Sequence, residues 1–499
     1  MGSVRRDFDL LSEVGGRDIC RVTTPIEEPR KMLFTSVEFF VLLSVAWLLF
    51  YSVKTSIYQS AILILASFIF YGWSYPLLVT LLLVSILINT VTSFWVVRLE
   101  GIARRRIAVL GVVANLMILL FFKYSPLVGK TLFHEHSSIG SYLIAIPLPI
   151  GISFFTFQGV SLVIDTYREE GQQRTKSASV PWWQHLLNVF LFKSFFPQLI
   201  AGPIVKAHEF MPQIRLKKIC DIDFDYAARK LILGYFLKMV VADNLKDQTF
   251  WMSYPYFEFY SGMDLLGLLF GYSMQIFADF AGYSLIAIGL ASLFGYHFTE
   301  NFLFPYSSTS FAEFWQRWHI SLSSFLKEYL YIPLGGNRHG EFKTYRNLFI
   351  TMVLGGLWHG AAWSYAVWGA YHGLALALER YLGRYLQFRK TPLITFLQGC
   401  LVFGLVSLGW LFFKLPDFSQ ALLYMQRIVI APFYSTDKDK LLLIALYSAP
   451  VVLYHIAFVA KRSLVIRTRI MLSPVVYAIL LFMIVFNSGS SGDFIYFQF

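Results

Sequence analysis

Residues 76–97 read PLLVTLLLVSILINTVTSFWVV, a run of 22 residues without a charged side chain. A helix needs about 20 predominantly apolar residues to cross the hydrocarbon core of a bilayer, so this run predicts a membrane-spanning helix. The surrounding region is equally apolar, because residues 32–97 contain only Glu38 and Lys54 as charged residues. Helical structure is expected there, since a helix satisfies its backbone hydrogen bonds internally in lipid.

The composition of the whole chain supports the same conclusion. Of the 499 residues, 57% are hydrophobic and 14% are charged, whereas soluble domains carry about 25% charged residues. This excludes disordered, collagen-like and disulfide-scaffold classes and most soluble enzyme folds. The net charge of +12 comes from short basic clusters between apolar runs, which are typical of cytoplasmic loops, so we expect no nucleic-acid partner. Cys20, Cys220 and Cys400 lie too far apart for a metal or disulfide motif.

Apolar runs of spanning length recur along the chain and predict 11 or 12 transmembrane helices. They lie near residues 33–50, 57–74, 76–97, 107–123, 139–165, 231–251, 264–297, 347–361, 363–378, 392–413, 441–460 and 470–487. The longer runs, 139–165 and 264–297, are expected to tilt or break. We therefore predict an all-α polytopic membrane protein whose membrane domain covers residues 32–487, accompanied by re-entrant or amphipathic helices.

The basic clusters orient these predicted spans, because Lys and Arg are enriched in cytoplasmic loops. The clusters lie at residues 98–106, 168–176, 206–230, 380–390 and 461–469. Segment 185–205 has a basic cluster on each side and contains Pro197, Gly202 and Pro203, so it is either a re-entrant segment or an ordinary kinked helix. The tail 488–499 has no Lys or Arg and begins with a Ser/Gly-rich stretch, which predicts a flexible, extracytoplasmic tail.

Residues 1–31 differ from the rest of the chain in their charge. They carry six basic and six acidic side chains. We expect a disordered extension outside the membrane domain, with Met32 as the natural first residue. No small-residue cleavage site follows the first apolar run, so a cleaved secretory signal is not expected.

Two histidines are conspicuous in the uncharged stretch between Arg346 and Glu379. Glycines and alanines surround His359 in LGGLWHGAA, which lets another backbone or a ligand approach the imidazole closely. An ionisable group at membrane depth is a functional candidate that faces a cavity. The alternative is a neutral histidine hydrogen-bonded between helices. For His372, in WGAYHG, the same two interpretations apply and the structural one is favoured.

A third histidine lies in residues 314–323, FWQRWHISLS. Helical spacing predicts one amphipathic helix here, with an apolar stripe made of Trp315, Trp318, His319, Leu322 and Leu326. Arg317 lies largely on the opposite face. The turn IPLGGNR, which contains Asn337 and Arg338, then leads into a basic stretch that could receive an anionic donor from the cytoplasm.

Acidic candidates are fewer. Asp279 follows Gln275 by one helical turn inside a long apolar segment, where it could orient a histidine, line a polar tunnel or cap a helix after a break. Asp243 and Asn244 predict a helix end. The sequence has no phosphate-binding loop, dinucleotide fingerprint, zincin histidine pair or Gly-x-Ser-x-Gly elbow, so hydrolase and redox activities lose support.

Taken together, several motifs resemble those of the membrane-bound O-acyltransferase superfamily. The matching stretches are 154–158, 196–203, 272–284, 300–306, 314–323, 329–338 and 355–360. Within the superfamily the chain resembles the bacterial polysaccharide branch typified by the membrane subunit of alginate O-acetyltransferase. Gln316 departs from the pattern, because relatives often have Arg at that position, and we expect no loss of chemistry from it.

The resemblance implies a ring of helices around a central tunnel that joins a cytoplasmic donor entrance to an outer acceptor funnel. It implies that His359 is the catalytic histidine and His319 the second active-site residue. Neutral imidazole, with a reference pKa of about 6.5, suits the removal of a hydroxyl proton during acyl transfer. Residues expected to line the tunnel or contact substrate are Gln275, Asp279, Arg317, Asn337, Arg338 and Trp358. No metal and no bound cofactor are expected.

The expected activity is O-acetylation of an exported or cell-wall polysaccharide. Acetyl-CoA is the expected donor, and an extracytoplasmic SGNH-like acetyltransferase the expected partner, in the lipid of a bacterial plasma (inner) membrane. The final FIYFQF resembles an aromatic C-terminal motif of relatives, so Tyr496 is either an acyl carrier or part of an interfacial aromatic anchor. One alternative activity is D-alanyl transfer to teichoic acid. A proton-coupled transporter would instead need inverted repeats and further buried acids, which the sequence lacks.

Overall fold

The computed structural model describes residues 32–73, 76–133, 137–385, 391–435, 437–460, 468–490, 492, 494 and 495. Within these ranges the ordered elements are all helices and no strand occurs. The protein is an all-α polytopic membrane protein. The extension 1–31 and Tyr496 lie outside the described residues, so the disorder predicted for the extension stays a prediction.

Twenty-two α-helices follow one another in the described ranges. They are α1 Val37–Ser52, α2 Ser56–Gly72, α3 Leu78–Arg98, α4 Gly101–Leu132, α5 Ser138–Ile144, α6 Ile152–Arg168, α7 Gly171–Ser179, α8 Trp182–Ser194, α9 Phe196–Leu199, α10 Ala207–Phe210, α11 Phe224–Tyr235, α12 Asp243–Thr249, α13 Gly262–Leu293, α14 Phe311–Arg317, α15 Ile320–Leu326, α16 Glu341–His359, α17 Trp363–Leu382, α18 Pro392–Gly409, α19 Leu411–Lys414, α20 Phe418–Ile430, α21 Lys438–Ala460 and α22 Thr468–Phe486. Two π-helical stretches, Phe236–Ala242 and Lys327–Tyr331, and five short 3₁₀ turns connect some of them.

The predicted spans correspond to helices, and five of those described are long and apolar enough to cross a membrane alone. These are α3, α4, α13, α21 and the run Pro392–Lys414. The other predicted spans are shorter helices or carry more polar residues. Of the two long runs, 139–165 breaks between α5 and α6, whereas 264–297 forms the single 32-residue helix α13.

Helix α13 is the centre of the bundle, since 89% of its most apolar 18-residue window is buried. A helix that is apolar on all sides is expected to be surrounded by other helices. Close packing against α11 depends on glycine, because a Cβ at Gly282 would lie 2.8 Å from the Gly234 carbonyl oxygen. The helical run continues from α11 through the π turn into α12. Asp243 is therefore inside a continuous helical run and not at the helix end predicted from sequence.

Segment 182–206 enters the bundle and returns to the same end of it. Before α8, the Val180 carbonyl accepts a hydrogen bond from Arg98 at the end of α3. The chain then breaks at Phe195, and the Phe196 N–H donates to Ser67 Oγ in the bundle interior at 3.0 Å. It returns to pair Lys206 with Glu328 at 2.8 Å. This path matches the re-entrant interpretation.

The C-terminal tail packs against the bundle instead of behaving as the predicted flexible linker. The Gly489 N–H donates to the Met239 carbonyl at 2.9 Å, and Asn244 donates to the Asn487 carbonyl at 3.0 Å. Further on, the Ile495 N–H donates to Asp279 Oδ2 at 2.7 Å. The described tail residues are thus bound along the π turn, α12 and α13.

Candidate active site

His359 is the last residue of α16, and the packing of α16 against α17 determines its position. The two helices approach at glycines: a Cβ at Gly356 would lie 2.2 Å from the Tyr365 carbonyl oxygen, and one at Gly369 would lie 2.3 Å from the Met352 carbonyl oxygen. Small residues allow such backbone contact between membrane helices. The chain leaves the helix at Gly360, which has extended backbone, and the His359 side chain is buried.

Aromatic rings surround the His359 imidazole. The Trp368 ring centre lies 5.3 Å away and the Phe413 ring centre 5.2 Å away. The second histidine, His319, has its ring centre 6.1 Å from that of His359. This separation lets both imidazoles contact one reacting group placed between them, which is the geometric requirement for shared acid–base work.

His319 lies at a break between α14 and α15, so the single amphipathic helix predicted over this segment is wrong. Its φ is +44°, in the left-handed region that non-glycine residues seldom adopt. The break is stabilised by Asn301, whose carbonyl oxygen accepts from the Ile320 N–H at 2.9 Å. Its side-chain Oδ1 accepts from the Ser321 N–H at 3.2 Å. The backbone N–H groups that would continue the helix therefore donate to Asn301 instead.

Asn301 also orients the His319 ring. His319 Nδ1 lies 3.1 Å from Asn301 Oδ1, and the Asn301 amide donates to Ser284 Oγ at 3.1 Å. Because the amide oxygen can only accept, His319 Nδ1 carries the proton. In the neutral ring Nε2 is then the basic nitrogen.

A large cavity of 790 Å³ opens beside the end of α16. Its lining includes residues that follow His359 and residues from α4, the π turn, α12, α13, α19 and the tail: Lys123, Lys238, Asp243, Lys246, Asp247, Gln275, Asp279, Gly360, Ala361, Lys414 and Ile495. A smaller cavity of 50 Å³ lies against His359 itself. Lys123 and Leu148 line both cavities, so the two meet next to the catalytic candidate.

Three buried charges form a compact group in the wall of the large cavity. Lys238 Nζ lies 2.7 Å from Asp243 Oδ1 and 2.8 Å from Asp279 Oδ1, and all three side chains are less than 10% exposed. Buried charges are tolerated when they are paired and hydrogen-bonded. Asp279 therefore holds Lys238 and the tail at Ile495.

The small cavity lies at the start of α6, and a third cavity, of 520 Å³, lies at the end of the same helix. Its lining includes Asp165, His208 and Glu328, whose ligand atoms lie within 4.8 Å of one another and could hold a metal ion. Glu328 already pairs with Lys206 at 2.8 Å, and His208 Nδ1 lies 2.9 Å from Asp165. Burial and the Asp165 carboxylate raise the pKa of the neighbouring Tyr329 phenol.

A stack of aromatic rings fills the path between His359 and this third cavity. Trp358 stacks on Phe157 with ring centres 5.2 Å apart, and Phe157 stacks on Phe325 at 4.1 Å. Phe325 contacts Tyr329 at 4.6 Å, and the Tyr329 hydroxyl donates to Asp165 at 2.6 Å. A row of contacting aromatic rings thus joins the cavity at Asp165 to Trp358, the neighbour of the catalytic candidate.

Of the remaining predicted residues, some line the large or the small cavity and the others lie away from both. Gln275 lines the large cavity and accepts a hydrogen bond from Thr249, and Trp358 lines the small cavity. Arg317 pairs with Glu313 at 2.6 Å, away from both cavities. Asn337 and Arg338 are exposed in the turn before α16, so neither is brought together with His359. Tyr496 is outside the described residues.

His372 is buried among rings and lines none of the three cavities. Its ring centre lies 4.7 Å from that of Trp368 and 5.2 Å from that of Trp315. Its nitrogens have no hydrogen-bond partner among the described residues. His372 is therefore packed like a structural residue, but the hydrogen bond between helices that the structural interpretation expects is not found among the described residues.

Sequence reasoning missed two residues of the site, Lys123 and Asn301. Lys123 is the last residue of a predicted span, where a charged residue is expected at the membrane boundary. In the structure its Nζ is buried and donates a hydrogen bond to the Trp358 carbonyl. Asn301 lies within a matching motif, but nothing local indicates that it contacts a histidine 18 positions later.

Comparison with known proteins identifies the family of the chain. The profile of the MBOAT, membrane-bound O-acyltransferase family matches residues 150–415. The chain is 38% identical over 403 residues to the probable alginate O-acetylase AlgI of Pseudomonas aeruginosa, covering 78% of this chain and 73% of the relative. It is 35% identical over 403 residues to the peptidoglycan O-acetyltransferase of Helicobacter pylori, covering 75% of each. It is 28% identical over 281 residues to the teichoic acid D-alanyltransferase of Bacillus subtilis, covering 53% of this chain and 68% of the relative. The chain belongs to the membrane-bound O-acyltransferase family.

Proposed function

We propose that the protein transfers acetyl groups from a cytoplasmic thioester, acetyl-CoA, across the membrane for O-acetylation of an exported or cell-wall polysaccharide. The observation that carries this proposal is the pair of imidazoles, His359 and His319, which lie 6.1 Å apart between cavities near opposite ends of α6. The relatives named for acetyl transfer are more similar, over more of the chain, than the one named for D-alanyl transfer. Acetylation is therefore favoured over D-alanylation.

In this proposal His359 is the general base. It takes the proton of the acceptor hydroxyl while the oxygen attacks the thioester carbonyl, and the coenzyme A thiolate leaves and takes that proton from His359. His319, held by Asn301 through its protonated Nδ1, presents the basic Nε2 to the same reacting group and orients His359. Positioning both groups in a buried, preorganised site supplies much of the rate enhancement.

The proposal assigns the sides of the membrane from the distribution of Lys and Arg, which are enriched in cytoplasmic loops. The cavity at Asp165 lies among basic clusters, so it is the proposed donor entrance on the cytoplasmic side of a bacterial inner membrane. The large cavity lies at the other end and holds the tail, so it is the proposed outer funnel for the acceptor. An SGNH-like acetyltransferase in the outer compartment is the proposed partner that passes the acetyl group to the polysaccharide.

Tyr496 is the proposed carrier of the acetyl group between His359 and that partner. The support is that the tail enters the large cavity at Ile495, one residue before Tyr496 in the chain, and is bound there by Asp279. The phenol would lose its proton to His359, attack the thioester carbonyl and displace the coenzyme A thiolate, which forms an acetyl ester on Tyr496. The partner would then take the acetyl group from this ester, and the phenol would regain a proton. Tyr496→Phe removes one oxygen, so undiminished polysaccharide acetylation in that variant would leave only the anchoring role.

The central test compares two histidine variants of matched burial, His359→Gln and His372→Gln. Glutamine keeps hydrogen-bonding capacity but cannot accept the proton at neutral pH. We expect His359→Gln to abolish the O-acetyl content of the exported polysaccharide at unchanged protein level, and His372→Gln to retain most of it. The content is measured as acetate released by mild alkali. Full acetylation in the His359→Gln cells would refute the proposal.

A further inference from the structure

Two neighbours on α4, Lys123 and Tyr124, both contact the end of α16. The Tyr124 hydroxyl donates a hydrogen bond to the Leu357 carbonyl at 2.7 Å. Lys123 Nζ donates to the Trp358 carbonyl and to Ser153 Oγ, the latter at 3.1 Å. These contacts join parts of the chain more than 230 residues apart. The proposed function assigns no role to either side chain.

Both carbonyls belong to the last turn of α16, which ends at His359. The last four carbonyls of a helix have no partner within the helix, and lipid offers no water to satisfy them. A lysine ammonium at this end is further favoured by the negative end of the helix dipole. The two donors of α4 therefore satisfy groups that the helix leaves open.

The arrangement also restricts rotation of the last turn. Consecutive residues of a helix are rotated by about 100° around its axis, because each turn holds about 3.6 residues. Hydrogen bonds to two consecutive carbonyls hold that turn in two directions. The glycine contact of Gly356 with α17 holds the same turn from another side. The next residue after the two carbonyls is His359, so its backbone is held just before the imidazole.

We infer that Lys123 and Tyr124 are positioning residues that clamp the last turn of α16 and thereby set the orientation of the His359 imidazole. Their role in turnover rests on the proposed function, but the clamp itself is a property of the fold. Misplacing a catalytic group by about 1 Å can cost about a hundredfold in rate. Loss of the clamp is therefore expected to lower kcat while leaving the KM for acetyl-CoA unchanged.

The test uses Lys123→Met, which keeps the chain length and removes the ammonium, and Tyr124→Phe, which removes one oxygen. Each has a matched control. Lys193 is also buried and donates to Ser85 Oγ at 2.6 Å, and the Tyr371 hydroxyl donates to the Leu405 carbonyl at 2.8 Å. The controls Lys193→Met and Tyr371→Phe thus remove the same chemical groups from hydrogen bonds that do not end on α16.

Two measurements are made on the purified full-length protein in lipid vesicles. The first is hydrogen exchange of the peptide covering residues 353–361, which we expect to accelerate about tenfold or more in both clamp variants and not in the controls. The second is release of coenzyme A thiol from acetyl-CoA, with the SGNH-like partner acetyltransferase added and alginate oligosaccharides or peptidoglycan fragments as acceptors. We expect kcat to fall about tenfold for Tyr124→Phe and about a hundredfold for Lys123→Met.

Unchanged exchange in both clamp variants would overturn the clamp whatever the activity. Faster exchange with an unchanged kcat would overturn the role of the clamp in orienting His359. An increase in KM with an unchanged kcat would overturn it too, because that result would indicate substrate contact by Lys123. Equal losses in the Lys193→Met control would reduce the effect to general destabilisation and so also contradict the proposal. His359→Gln is measured beside them: if it matches the wild type, the proposed function fails, while the exchange data still decide the clamp.

Discussion

The contact between α16 and α17 predicts a large effect for a very small change, Gly356→Ala. The added Cβ would lie 2.2 Å from the Tyr365 carbonyl oxygen and 2.9 Å from the Gly369 nitrogen, whereas real Cβ contacts essentially never fall below 3.0 Å. The two helices must therefore separate by about 0.8 Å or more. Both obstructing atoms are backbone, so no flexible side chain can relieve the clash.

The magnitude follows from two opposing contributions. Overpacking costs about 1–3 kcal/mol, and the upper part of that range applies because backbone meets backbone. Replacing a helical glycine with alanine returns up to about 1 kcal/mol. The net loss of stability is about 2 kcal/mol. Activity is expected to suffer more, about a hundredfold, because His359 follows three residues later and moves with the helix end.

The assay is thermal unfolding of the purified protein together with the initial rate of acetyl transfer from acetyl-CoA. Gly404→Ala is the matched control, since Gly404 also lies inside an apolar helix and a Cβ there meets nothing within 4 Å. We expect the control to keep its activity and to melt at the same or a higher temperature, because alanine favours the helix and meets no clash there. A Gly356→Ala protein with wild-type rate and melting temperature would refute the close approach of α16 and α17 and the reasoning built on it.

Three further predictions concern the surrounding residues. Asn301→Leu removes the oxygen that holds His319, and kcat should fall at least about tenfold; a wild-type kcat would contradict the assigned role. Lys238→Met leaves two buried carboxylates unpaired and should lower the free energy of unfolding by about 3–5 kcal/mol. The control Lys230→Met should lower it by about 1 kcal/mol or less, because the ion pair of Lys230 is more exposed. Phe325→Ala opens the aromatic stack, so coenzyme A release without acceptor should increase as water reaches the site; an unchanged release would show that the stack is no barrier.

Much of the fold could be predicted from the sequence, because lipid imposes helices on long apolar runs. The single continuous α13 and the break at His319 could not. Residues 314–326 keep helical periodicity, yet Asn301 takes up the backbone N–H groups after His319. A sequence pattern within one segment does not reveal that a residue elsewhere in the chain will accept the hydrogen bonds of that segment.

The candidate site was predictable in part for the same reason. His359 stands out because it is ionisable within an uncharged stretch, and Gln275 and Asp279 do line the large cavity. Arg317, Asn337 and Arg338 have suitable chemistry in matching motifs, but their positions lie away from His359. Side-chain type indicates what a residue can do, whereas distance to the reacting group depends on how the helices pack.

The sequence by itself determined that this protein lies in the membrane and that it is helical, and it predicted a histidine at membrane depth. Scarcity of charge and the length of apolar runs are local properties, and they are sufficient for those conclusions. Only the tertiary structure decided which groups surround that histidine. Lys123 reaches the Trp358 carbonyl across 235 positions of chain, and Asn301 reaches His319 across a helix break. Such contacts arise from the close packing of helices that are distant in sequence, which periodicity within one helix does not encode.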